Sequence, residues 1–316
     1  MVKRREFIST LAGASLGAAA AGTLGAGEAQ AGTGIMKRAY GNTGRALSIL
    51  GLGGIVVSRL EQSAADDLVS WAIGKGINYF DVAPSYGDAQ DRLGPALKPY
   101  RDRCFLACKT GKRDAAGAQA ELEQSLRVLQ TDHFDLYQLH GLTSVADAEK
   151  ALGPDGALEV LLRAREKGQV LHVGFSAHSV EAALKALDEF PFDSVLFPFN
   201  AVCIENGGFG PQVLQKAAEK GAACLALKAM AWTPVAAKAP RKYPKCWYQP
   251  QDDPELAALL LRYTLDLPIV AAVPPGDERL WQMAVEAALN YKPLSEAERA
   301  SLKQRIAGVE PIFKMS

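Results

Sequence analysis

The stretch Gly76-Ile77-Asn78-Tyr79-Phe80-Asp81-Val82-Ala83-Pro84-Ser85-Tyr86-Gly87 decides how the rest of the chain is read. Asn78 to Val82 has the aromatic and β-branched content of a buried strand. A glycine precedes the stretch, and Ala-Pro-Ser ends it in a turn. The strand delivers a carboxylate, Asp81, to its end, and the turn carries a phenol, Tyr86. Two later strand-like runs end alike: Cys104 to Cys108 leads into Lys109, and Phe134 to Leu139 leads into His140. Four titratable groups of four kinds thus stand at the carboxyl ends of three successive strands. In a parallel barrel those ends and the loops after them form the reactive face, where residues far apart in sequence meet.

Outward from this stretch, strands alternate with helices, the pattern of a parallel α/β sheet. Apolar residues recur at helical spacing in Leu68, Trp71 and Ala72, in Leu122, Leu126 and Leu129, in Leu158, Leu161 and Leu162, and in Val180, Ala183, Leu184 and Leu187. Further strands are expected at Leu171 to Phe175, Ser194 to Phe199, Ala223 to Leu227 and Ile269 to Val273. With Leu47 to Leu52 as the first, they make eight. The fold class is therefore α/β, a (β/α)8 TIM barrel. Residues 36–57 hold two short extended runs around Gly41-Asn42-Thr43-Gly44, a hairpin signal. Helices are expected from Pro254 to Leu265 and Glu278 to Leu289, with an extra terminal one from Ser295 to Ile306. The barrel spans 36–316, a usual length for eight strand–helix units within a chain of 316 residues.

Residues 1–31 read differently. Lys3-Arg4-Arg5-Glu6-Phe7-Ile8 leads into a soft Ala/Gly/Leu run that closes on Ala29-Gln30-Ala31, a small-x-small cleavage pattern. This resembles a twin-arginine export signal, and implies passage through the twin-arginine translocase to a periplasmic or otherwise exported location. The run is too weakly apolar for a lasting membrane span. Lys+Arg and Asp+Glu balance at 35 each, so no global field favours nucleic acid. The five cysteines, 104, 108, 203, 224 and 246, are odd in number and lack metal-site spacing. They read as free thiols in the core, and no metal is expected.

Asp81, Tyr86, Lys109 and His140, with their flanks GINYFDVAPSYG, ACKTG and FDLYQLHG, resemble the catalytic tetrad of the aldo-keto reductases. The resemblance implies NAD(P)H-dependent interconversion of an aldehyde or ketone with an alcohol. Tyr86 would be the general acid, Lys109 and Asp81 its tuning pair, and His140 the group that orients the carbonyl. The physical chemistry agrees. A free tyrosine, with a pKa of about 10, holds its proton too tightly at neutral pH. An ammonium about 4 Å away at an effective dielectric of about 20 favours the phenolate by at most roughly 4 kcal/mol, or about three pKa units. A buried Lys109 needs a counter-ion in turn, and Asp81 is the candidate.

The cofactor half departs from the family pattern. Ser176, in Val173-Gly-Phe-Ser-Ala-His178, matches one of the residues that hold the nicotinamide amide, but Ala177 and Leu196 stand in place of the Asn and Gln. Leu227 replaces a stacking Tyr, and the neighbouring Lys228 is shared with only some branches. Val273-Pro-Pro-Gly-Asp-Glu-Arg279 resembles the phosphate-binding loop, with Pro274 and Gly276 in the turn and a helix start suited to pyrophosphate. The residues that grip a 2′-phosphate are not at their usual spacing, and whether Arg279 substitutes is open. NADP(H) is favoured by family habit, with NAD(H) as the other option. A second reading is a barrel that keeps the tetrad but binds nicotinamide weakly or not at all, working as a binding module or in proton transfer without hydride. The aromatic, proline-rich stretch from Trp232 through Tyr243, Cys246, Trp247 and Tyr248 to Asp253 should set specificity for a small carbonyl or sugar-like substrate.

Overall fold

The computed structural model describes residues 34–315, so the export-signal reading of residues 1–31 lies outside the described residues. A two-stranded hairpin comes first, β1 (Lys37–Ala39) and β2 (Ala46–Ser48), antiparallel about the glycine turn. The strand β3 (Leu52–Gly53), helix α1 (Gln62–Gly74), β4 (Tyr79–Asp81), α2 (Ala89–Leu97), β5 (Phe105–Thr110) and α3 (Ala115–Val128) follow. Then come β6 (Phe134–Leu142), α4 (Val145–Leu152), α5 (Ala157–Glu166), β7 (Val170–Ala177), α6 (Val180–Glu189), β8 (Ser194–Phe197), α7 (Ala201–Glu205) and α8 (Pro211–Lys220). The chain ends through β9 (Ala223–Leu227), β10 (Ala231–Pro234), β11 (Tyr248–Pro250), α9 (Pro254–Leu265), β12 (Ala271–Val273), α10 (Glu278–Leu289) and α11 (Glu296–Ile306).

Eight of these strands pair in parallel in the order β3, β4, β5, β6, β7, β8, β9, β12. A parallel bridge from Leu50 to Ala272 joins the two ends, with Gly51 N donating to Ala272 O at 2.9 Å and Ala272 N to Ile49 O at 2.9 Å. Closure of this kind removes the exposed strand edges. The sheet is the (β/α)8 barrel expected from the alternation.

Two local expectations are corrected. Leu47 to Leu52 is not one barrel strand: residues 46–48 belong to the hairpin, and the barrel pairing begins after them, with the Leu50 bridge and then Leu52–Gly53. Ser48 causes the break. Its N–H donates to Asn78 Oδ1 at 2.7 Å and its hydroxyl to Leu50 O at 2.8 Å, which turns the backbone between the two sheets. The stretch 232–253 is not wholly irregular either, because β10 and β11 pair as an antiparallel ribbon.

Alternation along the strands sorts their side chains into two sets, since successive residues point to opposite faces. One set, including Tyr79, Phe105, Ala107, Leu136, Leu196 and Leu225, packs together as the inner barrel cluster. The other set packs against the surrounding helices. Tyr40, from the hairpin turn, joins the inner cluster, donates to Ser194 Oγ at 2.8 Å and meets Phe105 edge-on at 4.9 Å. Arg45 and Arg101 both pair with the buried Asp135, at 2.9 Å each, near the start of β6. The hairpin is thereby fastened to the amino-terminal end of the barrel, leaving the carboxyl end for chemistry.

Helices α2 and α3 meet closely at Gly94. A methyl group there would lie 2.5 Å from Val128 O and 2.8 Å from Leu129 Cα, both backbone atoms that cannot swing aside. Gly94→Ala should therefore lower stability by about 1–3 kcal/mol, read as a drop in Tm by calorimetry. An unchanged Tm would show that the two helices have room to separate.

Candidate active site

Asp81 closes β4, Lys109 is the penultimate residue of β5, and His140 lies near the end of β6. In each strand the residue two positions earlier, Tyr79, Ala107 or Gln138, is buried. Period-two alternation turns all of these side chains into the barrel interior, the later residue of each pair lying nearer the carboxyl-terminal mouth. The registers pair Asp81 with Ala107 and Lys109 with Gln138, so neighbouring strands present their polar ends at similar heights.

Asp81 and Lys109 form a direct ion pair through Oδ1 and Nζ, both almost inaccessible to solvent. The other carboxylate oxygen accepts from Tyr79 OH at 3.0 Å and Gln138 Nε2 at 3.1 Å, and Lys109 Nζ also donates to Val82 O at 3.3 Å. Burial alone pushes Lys109 down, but Asp81 and then Tyr86 more than reverse this, so its pKa is raised and the ammonium persists. Burial and the Asp81 charge push the Tyr79 phenol well up, which keeps it a donor to the carboxylate.

Tyr86 is half-buried on the turn after β4, with Lys109 Nζ 5.5 Å from its ring centroid. His140 meets it edge-on at 5.7 Å. The tetrad side chains therefore converge. The expected pull of the phenol toward neutral pH is corrected. Burial raises Tyr86 above its ordinary value, Lys109 offsets only part of that, and Asp81 adds to the rise. Burial, then Lys109, Lys228 and Arg113, pulls His140 down to about 3, so its imidazole is neutral across the physiological range.

A cleft of about 250 Å³ opens over this group. Asp81, Tyr86, Lys228, Pro274 and Gly276 line it, as do the apolar Ile55, Leu196, Leu227 and Val273. Gly276 is required by packing, since a Cβ there would fall 2.4 Å from Ile55 Cγ2. Other sites expected to hold cofactor are placed less directly. Ser176 is buried below the rim, where its Oγ accepts from Gly141 N at 2.7 Å. Arg279 is exposed, paired with Asp277 at 3.4 Å and laid over the Tyr243 ring. Asp277 caps α10, accepting from Arg279 N and Leu280 N with its side chain.

Sequence reading missed several residues. Tyr79 and Gln138 support Asp81, and only strand alternation inside the barrel could have flagged them. Lys245 lines the cleft and donates to Val56 O at 2.7 Å, but its place depends on how a long loop folds back. His178 sits beyond the end of β7, 3.1 Å from Lys228 Nζ. All five cysteines are buried and unpaired. Among the described residues no helix is long and apolar enough to cross a membrane.

Comparison with known proteins places this arrangement. Aldo-keto reductase YhdN of Bacillus subtilis is 28% identical over 163 residues, 47% of each chain. The chain spans about half the length of the curated relatives it matches. An aldo-keto reductase of Bacillus halodurans, solved in a holo form, superposes with a TM-score of 0.67 at 22% identity, covering 89% of this chain and 98% of that one. An aldo-keto reductase of Klebsiella pneumoniae, solved in complex with NADPH, does so with a TM-score of 0.66 at 21% identity, covering 89% and 98%. At such identities these two structures speak for the shared barrel. The family model for the Aldo/keto reductase family matches residues 49–305, and the chain belongs to that family.

Proposed function

We propose that this protein is an NADP(H)-dependent oxidoreductase that interconverts a small aldehyde or ketone with its alcohol. The observation that carries this reading is the convergence of the Tyr86 phenol, the buried Lys109–Asp81 pair and a neutral imidazole at the open mouth of the barrel.

The cofactor, when bound, supplies hydride to the carbonyl carbon. What the chain must supply is a proton at the oxygen, and a fixed direction from which that oxygen is approached. Tyr86 holds its proton in the resting site and is placed to give it, but burial makes it a weaker acid than a free phenol, so the transfer needs help from a neighbouring charge. As negative charge builds on the carbonyl oxygen, the proton moves from the phenol toward it, and the fixed ammonium of Lys109 favours the phenolate left behind. Asp81 keeps that ammonium charged and in place, and is itself held by Tyr79 and Gln138. His140, neutral, can donate one N–H to the same oxygen and hold it facing Tyr86.

The fit to a dinucleotide is partial. Leu196 and Leu227 offer apolar walls to a nicotinamide ring, while Pro274 and Gly276 offer backbone at the start of α10. Lys245 adds a cation on the same side. The Klebsiella relative in complex with NADPH supports the phosphorylated cofactor. Asp277 works against it, because its carboxylate already occupies two amides of the helix start. That feature favours the second reading, a barrel with a weakened grip on nicotinamide.

Titrating NADPH and NADH against tryptophan fluorescence separates the two. Saturable quenching, tighter with NADPH, is expected, and no saturation with either cofactor would remove hydride chemistry from the proposal. Tyr86→Phe should lower turnover of a simple neutral aldehyde by about a hundredfold or more while NADPH affinity changes little, because only the proton donor is lost. A variant as active as the parent would make the phenol a bystander. The pH profiles of the parent and His140→Gln should run parallel from about pH 5 to about pH 8, since an imidazole pulled down to about 3 has already lost its proton there. An inflection near the ordinary histidine value, present only in the parent, would contradict this.

A further inference from the structure

Lys228 stands just past the end of β9, in a backbone conformation that side chains rarely adopt, with φ at 62°. Such a conformation is costly for a residue with a side chain and persists only where the surroundings enforce it. Here two bonds do so: Lys228 N donates to Val273 O at 3.1 Å and Lys228 O accepts from Ala231 N at 2.9 Å. The side chain is thereby directed into the cleft that also holds Tyr86 and Asp81.

The surroundings of its amine are unusual within this molecule. Three other buried or half-buried cations have acids beside them: Lys109 has Asp81, Arg101 has Asp135 at 2.9 Å and Arg113 has Asp147 at 2.6 Å, while Lys245, at the same cleft, donates to the Val56 carbonyl at 2.7 Å. Lys228 Nζ has a neutral acceptor, His178 Nε2 at 3.1 Å, and two aromatic faces, Trp247 at 5.6 Å and Phe313 at 6.0 Å. Among the described residues no carboxylate lies within ion-pairing distance of it. Burial, which outweighs the other influences, pulls the His178 imidazole down to about 2, so it accepts a bond but brings no charge.

Aromatic faces compensate a cation only weakly, and the amine shows the deficit. Burial, partly opposed by Cys203 and reinforced by Lys109, lowers Lys228 to about 7. The cluster is also rigid on its far side. Phe313 stacks on His178 at 5.1 Å and on Phe209 at 5.3 Å, and Met315 N donates to Gly207 O at 2.9 Å, which holds residues 313–315 in place. The geometry thus presents a positioned donor, short of one negative charge, at the edge of a cleft whose remaining walls are largely apolar.

We propose that Lys228 is the seat for an anionic group on the substrate, so that the substrate class is a carbonyl compound carrying a carboxylate. This rests on the reductase reading above and deepens it. With the carbonyl oxygen at Tyr86, the carboxylate lies toward Trp247 and Phe313, where it accepts from the Lys228 ammonium and completes the charge balance that the fold leaves open. Asp81, already committed to Lys109, Tyr79 and Gln138, does not compete for Lys228.

The test compares matched substrates that differ in one charge, 4-oxobutanoate and 5-oxopentanoate against their methyl esters, with NADPH and the full chain. The parent should prefer at least one acid over its ester in kcat/KM by about tenfold or more, and Lys228→Met should bring that ratio to about one. Lys228→Arg should restore part of the preference. Equal use of acid and ester by the parent, or a preference that survives Lys228→Met, overturns the proposal and leaves the reductase reading standing. Loss of NADPH affinity in Lys228→Met with the acid preference intact also overturns it, by assigning the lysine to the cofactor.

A readout free of turnover keeps the two readings apart. Pentanoate should quench the fluorescence of Trp247 saturably, pentanamide should not, and Lys228→Met should abolish the response while holding or raising Tm. That result, obtained with an enzyme that reduces neither aldehyde, would uphold the anion seat and sink the reductase reading. No quenching by pentanoate in the parent, or a fall in Tm in Lys228→Met that marks the lysine as structural, counts against the seat.

Discussion

The ion pair between Lys109 and Asp81 is the constraint on which the mouth of the barrel depends. Two charges with almost no access to water are costly unless their remaining hydrogen-bonding capacity is filled. Tyr79, Gln138 and the Val82 carbonyl fill it. Each partner comes from β4, its exit or β6, so the pair also ties together three strands that the sheet already aligns in register. Removing one member would leave the other buried and uncompensated, the situation in which losses of about 3–5 kcal/mol are usual. Such an arrangement is a poor choice for stability alone. It makes sense as a fixed positive charge beside a phenol.

The fold was legible because two periods coexist in the chain. Strand runs such as Ala223 to Leu227 and helix stripes such as Val180 to Leu187 fell where they were read, since each depends on local burial of one face. The first barrel strand was misplaced for a specific reason. Leu47 and Leu52 are both fully buried, so composition cannot divide them. The division is made by Ser48, whose bonds to Asn78 and Leu50 are tertiary and turn-level facts. The ribbon of β10 and β11 was missed because its register is irregular and its strands are separated by a long proline-rich loop.

The candidate site was legible in one half only. Asp81, Lys109 and His140 lie on strands whose ends all reach one rim, so position in the strand sufficed to bring them together. Tyr86 followed because its turn is short. Trp247 was flagged only as part of an aromatic stretch, and Lys245 not at all, because residues reaching the cleft from loops depend on how those loops fold back over the barrel, and no strand period carries that information. The expected lowering of the Tyr86 pKa failed chiefly because burial raises the phenol, a cost that a two-body estimate between ammonium and phenol omits. The carboxylate that makes the buried ammonium tolerable then acts on the phenol with opposite sign to the lysine.

This sign matters for the direction of the chemistry. A phenol held above its ordinary pKa keeps its proton near neutrality but is a weaker acid than a free tyrosine, so it gives that proton up only to an oxygen on which negative charge is building. Reduction needs that transfer. Oxidation of an alcohol needs the reverse, which the same residue performs only when the phenolate is favoured by alkaline conditions or by further positive charge in the cleft. Lys228 is the available source of such charge, and at about 7 it is itself only partly charged near neutral pH. An anion seated on Lys228 would keep it protonated while cancelling its field at a distance, so it would not draw the proton off Tyr86. The resting electrostatics of the mouth therefore set a protonated phenol beside a partly charged cation.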